Sequence, residues 1–207
     1  AEERLQVTAL QPSLPIGARI FITTVSVGGV VAVGWSATVL VRSTLPVEWL
    51  LFAALTIASG MLTLKVPSIE TRFSVSEAFA FASVLLFGPH VGVITLALDG
   101  VRISFRWKMN ATQTVFNFAN LGLSIGFAGS LFVLLSGSAP LYGASRPSAM
   151  IALHVAAMTA VYFAVNTGLT AAAVGLTSRR SIAAVWTHHY RTLFPSYLAG
   201  ASVALLL

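Results

Sequence analysis

The twelve Lys and Arg residues of this chain lie between long apolar runs, and nearly all of them fall in alternate gaps. Apolar stretches fill 20–41, 49–64, 74–88, 91–101, 109–135, 148–177 and 192–207. Read as membrane segments, they put Arg4, Arg19, Lys65, Arg72, Arg102, Arg106, Lys108, Arg179, Arg180 and Arg191 on one side. Only Arg42 and Arg146 fall on the other. Cytoplasmic loops of membrane proteins are enriched in Lys and Arg. The placement therefore predicts seven crossings, a cytoplasmic N-terminus and a last segment that ends outside.

Charged residues make up 9% of the chain and apolar ones 57%, with a mean hydropathy of +0.87. A water-soluble domain carries about 25% charged residues, so a chain this apolar needs lipid to cover its exterior. The expected fold is an all-α polytopic membrane bundle whose first partner is the lipid bilayer. The isoelectric point near 10.5 follows from that topology and from anionic lipid at the inner leaflet. No clustered basic patch is present to act as a nucleic-acid footprint. Without cysteine, disulfides, thiolate catalysis and Cys-type metal sites are excluded.

Residues 1–19 read as a cytoplasmic lead-in, extended around Pro12 and Pro15, and 20–207 as one helical domain. Ser43, Thr44 and Pro46 form a turn before Trp49, and Lys65 to Arg72 forms a polar inner loop. The third and fourth segments are joined only by Gly88-Pro89-His90, which forces a tight reversal. Arms of about 14–16 residues reach roughly 21–24 Å, short of the ~30 Å hydrocarbon core. The hairpin is therefore expected to turn inside the protein, where irregular backbone is tolerated. On the fifth segment, Gly122, Gly126 and Gly129 mark a helix-packing face. Ser136 to Pro147 is a Gly/Ser/Pro-rich outer loop, and Ser181 to Arg191 reads as an interfacial helix with Trp186 and Tyr190 among the headgroups. The run from Thr192 to Leu207 is shorter than the roughly 20 residues of a span, and the chain starts without Met. Both ends read as cut, so a longer protein is expected.

Polar residues inside membrane segments are costly and mark functional candidates. Asp99, Asn117, Asn120 and Asn166 all fall in the cytoplasmic half by the 1.5 Å rise, where they could line one ligand pocket. Bland roles compete with that reading. Asp99 and Arg102 are spaced for an ion pair on one helix face, and the asparagines for interhelical hydrogen bonds. Ser74 and Glu77 fit a capping box. His188 and His189 point about 100° apart on a helix, too divergent to grip one metal. His154 is a lone intramembrane histidine, either packed or pH-sensitive. No phosphate loop, nucleophile elbow or zinc-protease motif occurs, so neither catalysis, a metal nor a cofactor is read here.

Four stretches together carry a resemblance. They are Phe73-Ser-Val-Ser-Glu-Ala-Phe-Ala-Phe-Ala-Ser-Val-Leu-Leu-Phe-Gly-Pro89, Val115-Phe-Asn-Phe-Ala-Asn-Leu-Gly-Leu-Ser124, Val161-Tyr-Phe-Ala-Val-Asn-Thr-Gly-Leu-Thr170 and Val185-Trp-Thr-His-His-Tyr-Arg191. Over 70–207 the chain resembles the N-terminal multi-pass domain of bacterial cyclic di-GMP signalling proteins of the HD-GYP and GGDEF type. That likeness implies an inner-membrane sensory or anchoring domain, followed by an eighth helix and a cytoplasmic output enzyme. Neither output motif occurs in this chain, so activity would reside downstream. A weaker likeness, in the short hairpin and Leu-Phe-Gly-Pro, is to substrate-binding subunits of vitamin-uptake systems. The readings carried forward are a sensory input domain, a transporter component, and a structural subunit of a larger membrane complex; the partners expected besides lipid are a second copy, as a homodimer, or a larger membrane complex.

Overall fold

A computed structural model describes residues 14–59, 63–65, 72–137 and 149–206. Each apolar run carries one helix: α1 (Ile16–Arg42), α2 (Trp49–Ser59), α3 (Val75–Phe87), α4 (Pro89–Arg106), α5 (Ala111–Ser136), α6 (Ala149–Ser178) and α8 (Phe194–Ala204). The short α7 (Ile182–His189) lies between α6 and α8, and a 3-10 turn, Arg191–Leu193, leads into α8. The helical expectation holds apart from one antiparallel pair, β1 (Thr63–Lys65) and β2 (Arg72–Ser74), in the register Thr63↔Ser74, Leu64↔Phe73, Lys65↔Arg72. Helix α2 therefore stops at Ser59, five residues before the apolar run does. Residues 1–13, the loop at 66–71 and the outer loop with Arg146 lie outside the described residues, as do Arg4 and the side chains of Lys65, Arg72 and Ser74. Ser74 directly precedes α3, in the N-cap position.

Three helices, α1, α5 and α6, are long and apolar enough to cross a membrane. Their outward faces are apolar: Ile20 is 63% exposed, Val31 65% and Trp35 66%. Such a surface is compatible with a lipid bilayer and too apolar for water.

The 13-residue α3 sits at the centre. Beyond Glu77 in its first turn, its sequence is apolar or small on every side, which suits a helix surrounded by protein. Ala78, Ala80, Phe81, Ala82, Ser83, Val84, Leu85 and Phe87 are all buried. Helices α2, α4 and α8 pack around it. Phe52 on α2 meets Phe79 and Phe87 edge-on, and Phe81 meets Tyr162 of α6 at 5.3 Å and 87°. The reversal into α4 is made by Gly88, buried and at φ 92°, a conformation only glycine adopts freely. Pro89 then takes the first position of α4, where its missing N–H costs nothing.

Helix α5 is the second hub and packs against α1, α4 and α6. It begins with a reciprocal capping box: Gln113 N–H donates to Asn110 Oδ1 at 2.9 Å, and Asn110 N–H donates to Gln113 Oε1 at 3.1 Å. Small residues draw its neighbours close. A Cβ on Gly122 would meet Val33 at 3.1 Å, one on Gly126 would meet Val93 at 3.1 Å, and one on Gly129 would meet Pro89 at 2.9 Å. On the facing helices, Gly100 lies against the Asn117 carbonyl and Gly29 against the backbone of Ala119. In lipid, such close backbone approach supplies the packing energy that the hydrophobic effect does not.

Gly29→Ala is expected to force α1 off α5 and destabilise the bundle by about 1–3 kcal/mol, the usual range for overpacking. Gly34→Ala, which meets nothing within 4 Å, is expected to stay within about 0.5 kcal/mol of wild type. Unfolding of both variants with sodium dodecyl sulfate in mixed micelles checks the contrast.

Candidate functional site

Asn120, 2% exposed on α5, is the centre of a polar chain that joins three helices. Its Nδ2 donates to Asn166 Oδ1 at 2.9 Å and to Thr170 Oγ1 at 3.1 Å, both on α6. Asn166 Nδ2 in turn donates to the Tyr197 hydroxyl of α8 at 3.3 Å. The Ser124 hydroxyl donates to the Asn120 carbonyl at 2.7 Å, and that of Thr170 to the Asn166 carbonyl at 2.8 Å. An amide without partners in this setting would cost several kcal/mol, roughly 2–7. The chain is therefore closed by side chains from each helix that reaches it.

The other two candidates turn elsewhere. Asp99, 3% exposed on α4, accepts from Arg102 Nε at 2.7 Å. The pair sits three residues apart on one face, so its charges cancel locally. Asn117 donates to Ser104 Oγ at 3.0 Å and to Met109 Sδ at 3.1 Å, fastening α5 to the end of α4. Asn120 and Asn166 are thus joined directly, while Asp99 and Asn117 are each held at the α4 side. Glu77, half-buried in the first turn of α3, lies within electrostatic reach of Asp99 and of Tyr197. No hydrogen bond or ion pair reaches its carboxylate from the described residues.

A cavity of about 320 Å³ opens beside this chain, between α1, α5 and α6. Ile22, Phe116 and Val174 form its apolar walls, and Asn117 and Thr170 bring the polar groups to its edge. Toward the other end of α1 and α5 lies a smaller groove of about 280 Å³, where Ser36 Oγ and His90 Nδ1 are 3.1 Å apart. Among the described residues there is no group of three or more His, Cys, Asp or Glu side chains able to hold a metal. His188 and His189 stack edge to face with ring centres 4.7 Å apart, and the buried Nδ1 of His154 has no partner among the described residues.

Helix α7 is tied back onto α6. Trp186 donates its indole N–H to Thr167 Oγ1 at 2.9 Å and packs on Phe163 at 6.0 Å. Phe163 also meets Phe194 and Tyr197, each at 5.1 Å, so one aromatic cluster links α6, α7 and α8. Burial pushes the Tyr190 hydroxyl above the ordinary phenol range, which keeps it protonated at neutral pH.

Reading the sequence did not single out Tyr197, Thr170 or Ser104. Tyr197 and Thr170 are hydroxyls within apolar runs and Ser104 lies in the basic gap after the fourth run, and only the position of the facing helix identifies each as a partner. The asparagines were the available signal, because a buried amide must have such partners somewhere.

No protein-family model matches this chain, and no curated protein or solved structure does either.

Asn120→Ala removes donors to two side chains of α6 and is expected to cost about 1–2 kcal/mol. Tyr197→Phe removes one bond and is expected to cost about 0.6 kcal/mol. A double-mutant cycle between Asn120→Ala and Asn166→Ala, read by unfolding in mixed micelles, should show coupling; additive losses would mean that the two amides act separately.

Proposed function

We propose that this chain is a membrane-embedded input domain of a bacterial signalling protein, with seven crossings and a cytoplasmic N-terminus. On this reading it passes a signal from the bundle core to a cytoplasmic output domain. The hydrogen-bonded chain from Asn120 through Asn166 to Tyr197 carries the proposal. It joins α5 and α6, which line the cavity, to α8, which on this reading leads into an eighth crossing and then the output domain. Occupancy of the cavity would favour one arrangement of that chain over another and so shift the position of α8, as a ligand shifts any two-state equilibrium by its differential affinity. The resemblance to cyclic di-GMP proteins and the charge asymmetry of the loops support the same reading.

Two measurements test it. The chain has no cysteine, so single replacements report topology without background labelling. Ser43→Cys is expected to react with a membrane-impermeant maleimide on intact cells, and Ser181→Cys only after lysis. Labelling of both on intact cells would remove the proposed orientation. In cells that produce the whole protein, Asn166→Ala is expected to change cyclic di-GMP by about fivefold or more, the scale of an ordinary coupling energy. Unchanged nucleotide at equal membrane abundance would defeat the signalling role, and substrate uptake by reconstituted vesicles would replace it with transport.

A further inference from the structure

Every helix that lines the cavity between α1, α5 and α6 has a cation beside its mouth. Arg19 on α1 precedes the lining residue Ile22 by three positions, which places it on the same face. Lys108 is bonded in the chain to Met109, and Arg179 to Ser178, and both of those neighbours line the cavity. All three cations are exposed. Among the described residues the only ion pair is Arg102 with Asp99, so none of the three is neutralised there. Lys108 and Arg179 also share an unusual backbone, with φ of 51° and 54°. Each stands just past the end of a helix, α4 and α6 respectively, where a positive side chain is favoured by the helix dipole.

The interior has the opposite character. Ile22, Met109, Phe116, Ala173 and Val174 make its walls mainly apolar, with Thr112, Gln113, Asn117 and Thr170 also on the lining. Thr177 and Ser178 each donate at 2.6 Å to carbonyls within α6. At about 320 Å³ the space reaches the lower range of small-molecule pockets. A mainly apolar trough with a cationic rim and no acid among the described residues that line it is complementary to an anionic amphiphile. A soluble anion would leave the walls wet, and a neutral lipid would leave the rim without a counter-charge.

We infer that the cavity is a phospholipid site, which takes part of one acyl chain between α1, α5 and α6 and the phosphate of an anionic headgroup at Arg19, Lys108 and Arg179. In the proposed orientation the rim faces the inner leaflet, where anionic lipid is concentrated. The site stands or falls independently of signalling, because lipid occupancy is measured without any output.

The test uses the whole protein, purified in neutral detergent and examined by native mass spectrometry. The probes are dioleoyl phosphatidylglycerol, dioleoyl phosphatidylcholine and glycerol 3-phosphate. One phosphatidylglycerol per protomer is expected, held about tenfold more tightly than phosphatidylcholine and not displaced by glycerol 3-phosphate. The double variant Lys108→Asn/Arg179→Asn removes two charges while keeping a residue that tolerates positive φ; it should erase the preference between the two lipids. Ala173→Phe, which fills the trough, should release both lipids. Equal retention of the two lipids by wild type would overturn the inference, as would displacement by glycerol 3-phosphate or an unchanged preference in the double variant. Should Ala173→Phe fail to fold, the two exposed asparagine replacements still decide the matter.

Discussion

Close approach of helix backbones along α5 is the constraint on which the rest of this bundle depends. Between helices in lipid there is no hydrophobic gain to exploit, so packing and interhelical hydrogen bonds hold the structure. Gly122, Gly126 and Gly129 let α1 and α4 lie almost against the α5 backbone, and Gly29 and Gly100 do the same from the facing side. An asparagine side chain is short. Asn120 reaches Asn166 and Thr170, and Asn117 reaches Ser104, only because the helices that carry them are this near. Backbone proximity and the polar chain are two results of one choice of small side chains.

The polar groups then divide by direction around α5. Toward α6 and α8 they form a continuous chain that ends at Tyr197. Toward α4 they form local pairs, Asn117 with Ser104 and Asp99 with Arg102. The first arrangement couples separate helices, and the second neutralises groups where they stand. Aromatic packing of Phe163 with Trp186, Phe194 and Tyr197 reinforces the first set, so α6, α7 and α8 pack as one block.

Much of this was legible in the sequence, and the limits have physical causes. Apolar runs and basic gaps located every long helix, and the Gly88-Pro89 reversal and the short α7 were visible as turn and interface signals. Level along the bundle was partly readable, since 1.5 Å per residue puts Asn120 and Asn166 close enough to meet, with Asn117 one turn away. Rotation about the helix axis was not. Asn117 and Asn120 differ by three positions, yet one faces α4 and the other α6. Which side a polar residue presents is decided by the neighbours, and those are not written beside it in the chain. The Asp99–Arg102 pair was readable because both partners sit on one helix. The short β1–β2 pair escaped notice because three-residue strands leave no periodicity to detect.

The central position of α3 has a consequence for how such a chain enters a membrane. A helix of 13 residues that begins with a carboxylate at Glu77 is a poor candidate for partitioning into hydrocarbon alone. Protein, not lipid, surrounds it in the finished bundle. In a membrane, its entry would be favoured by descent together with α4, to which it is joined at Gly88 and against which it packs. The most deeply enclosed element of the structure is then also the one least able to find its own way there.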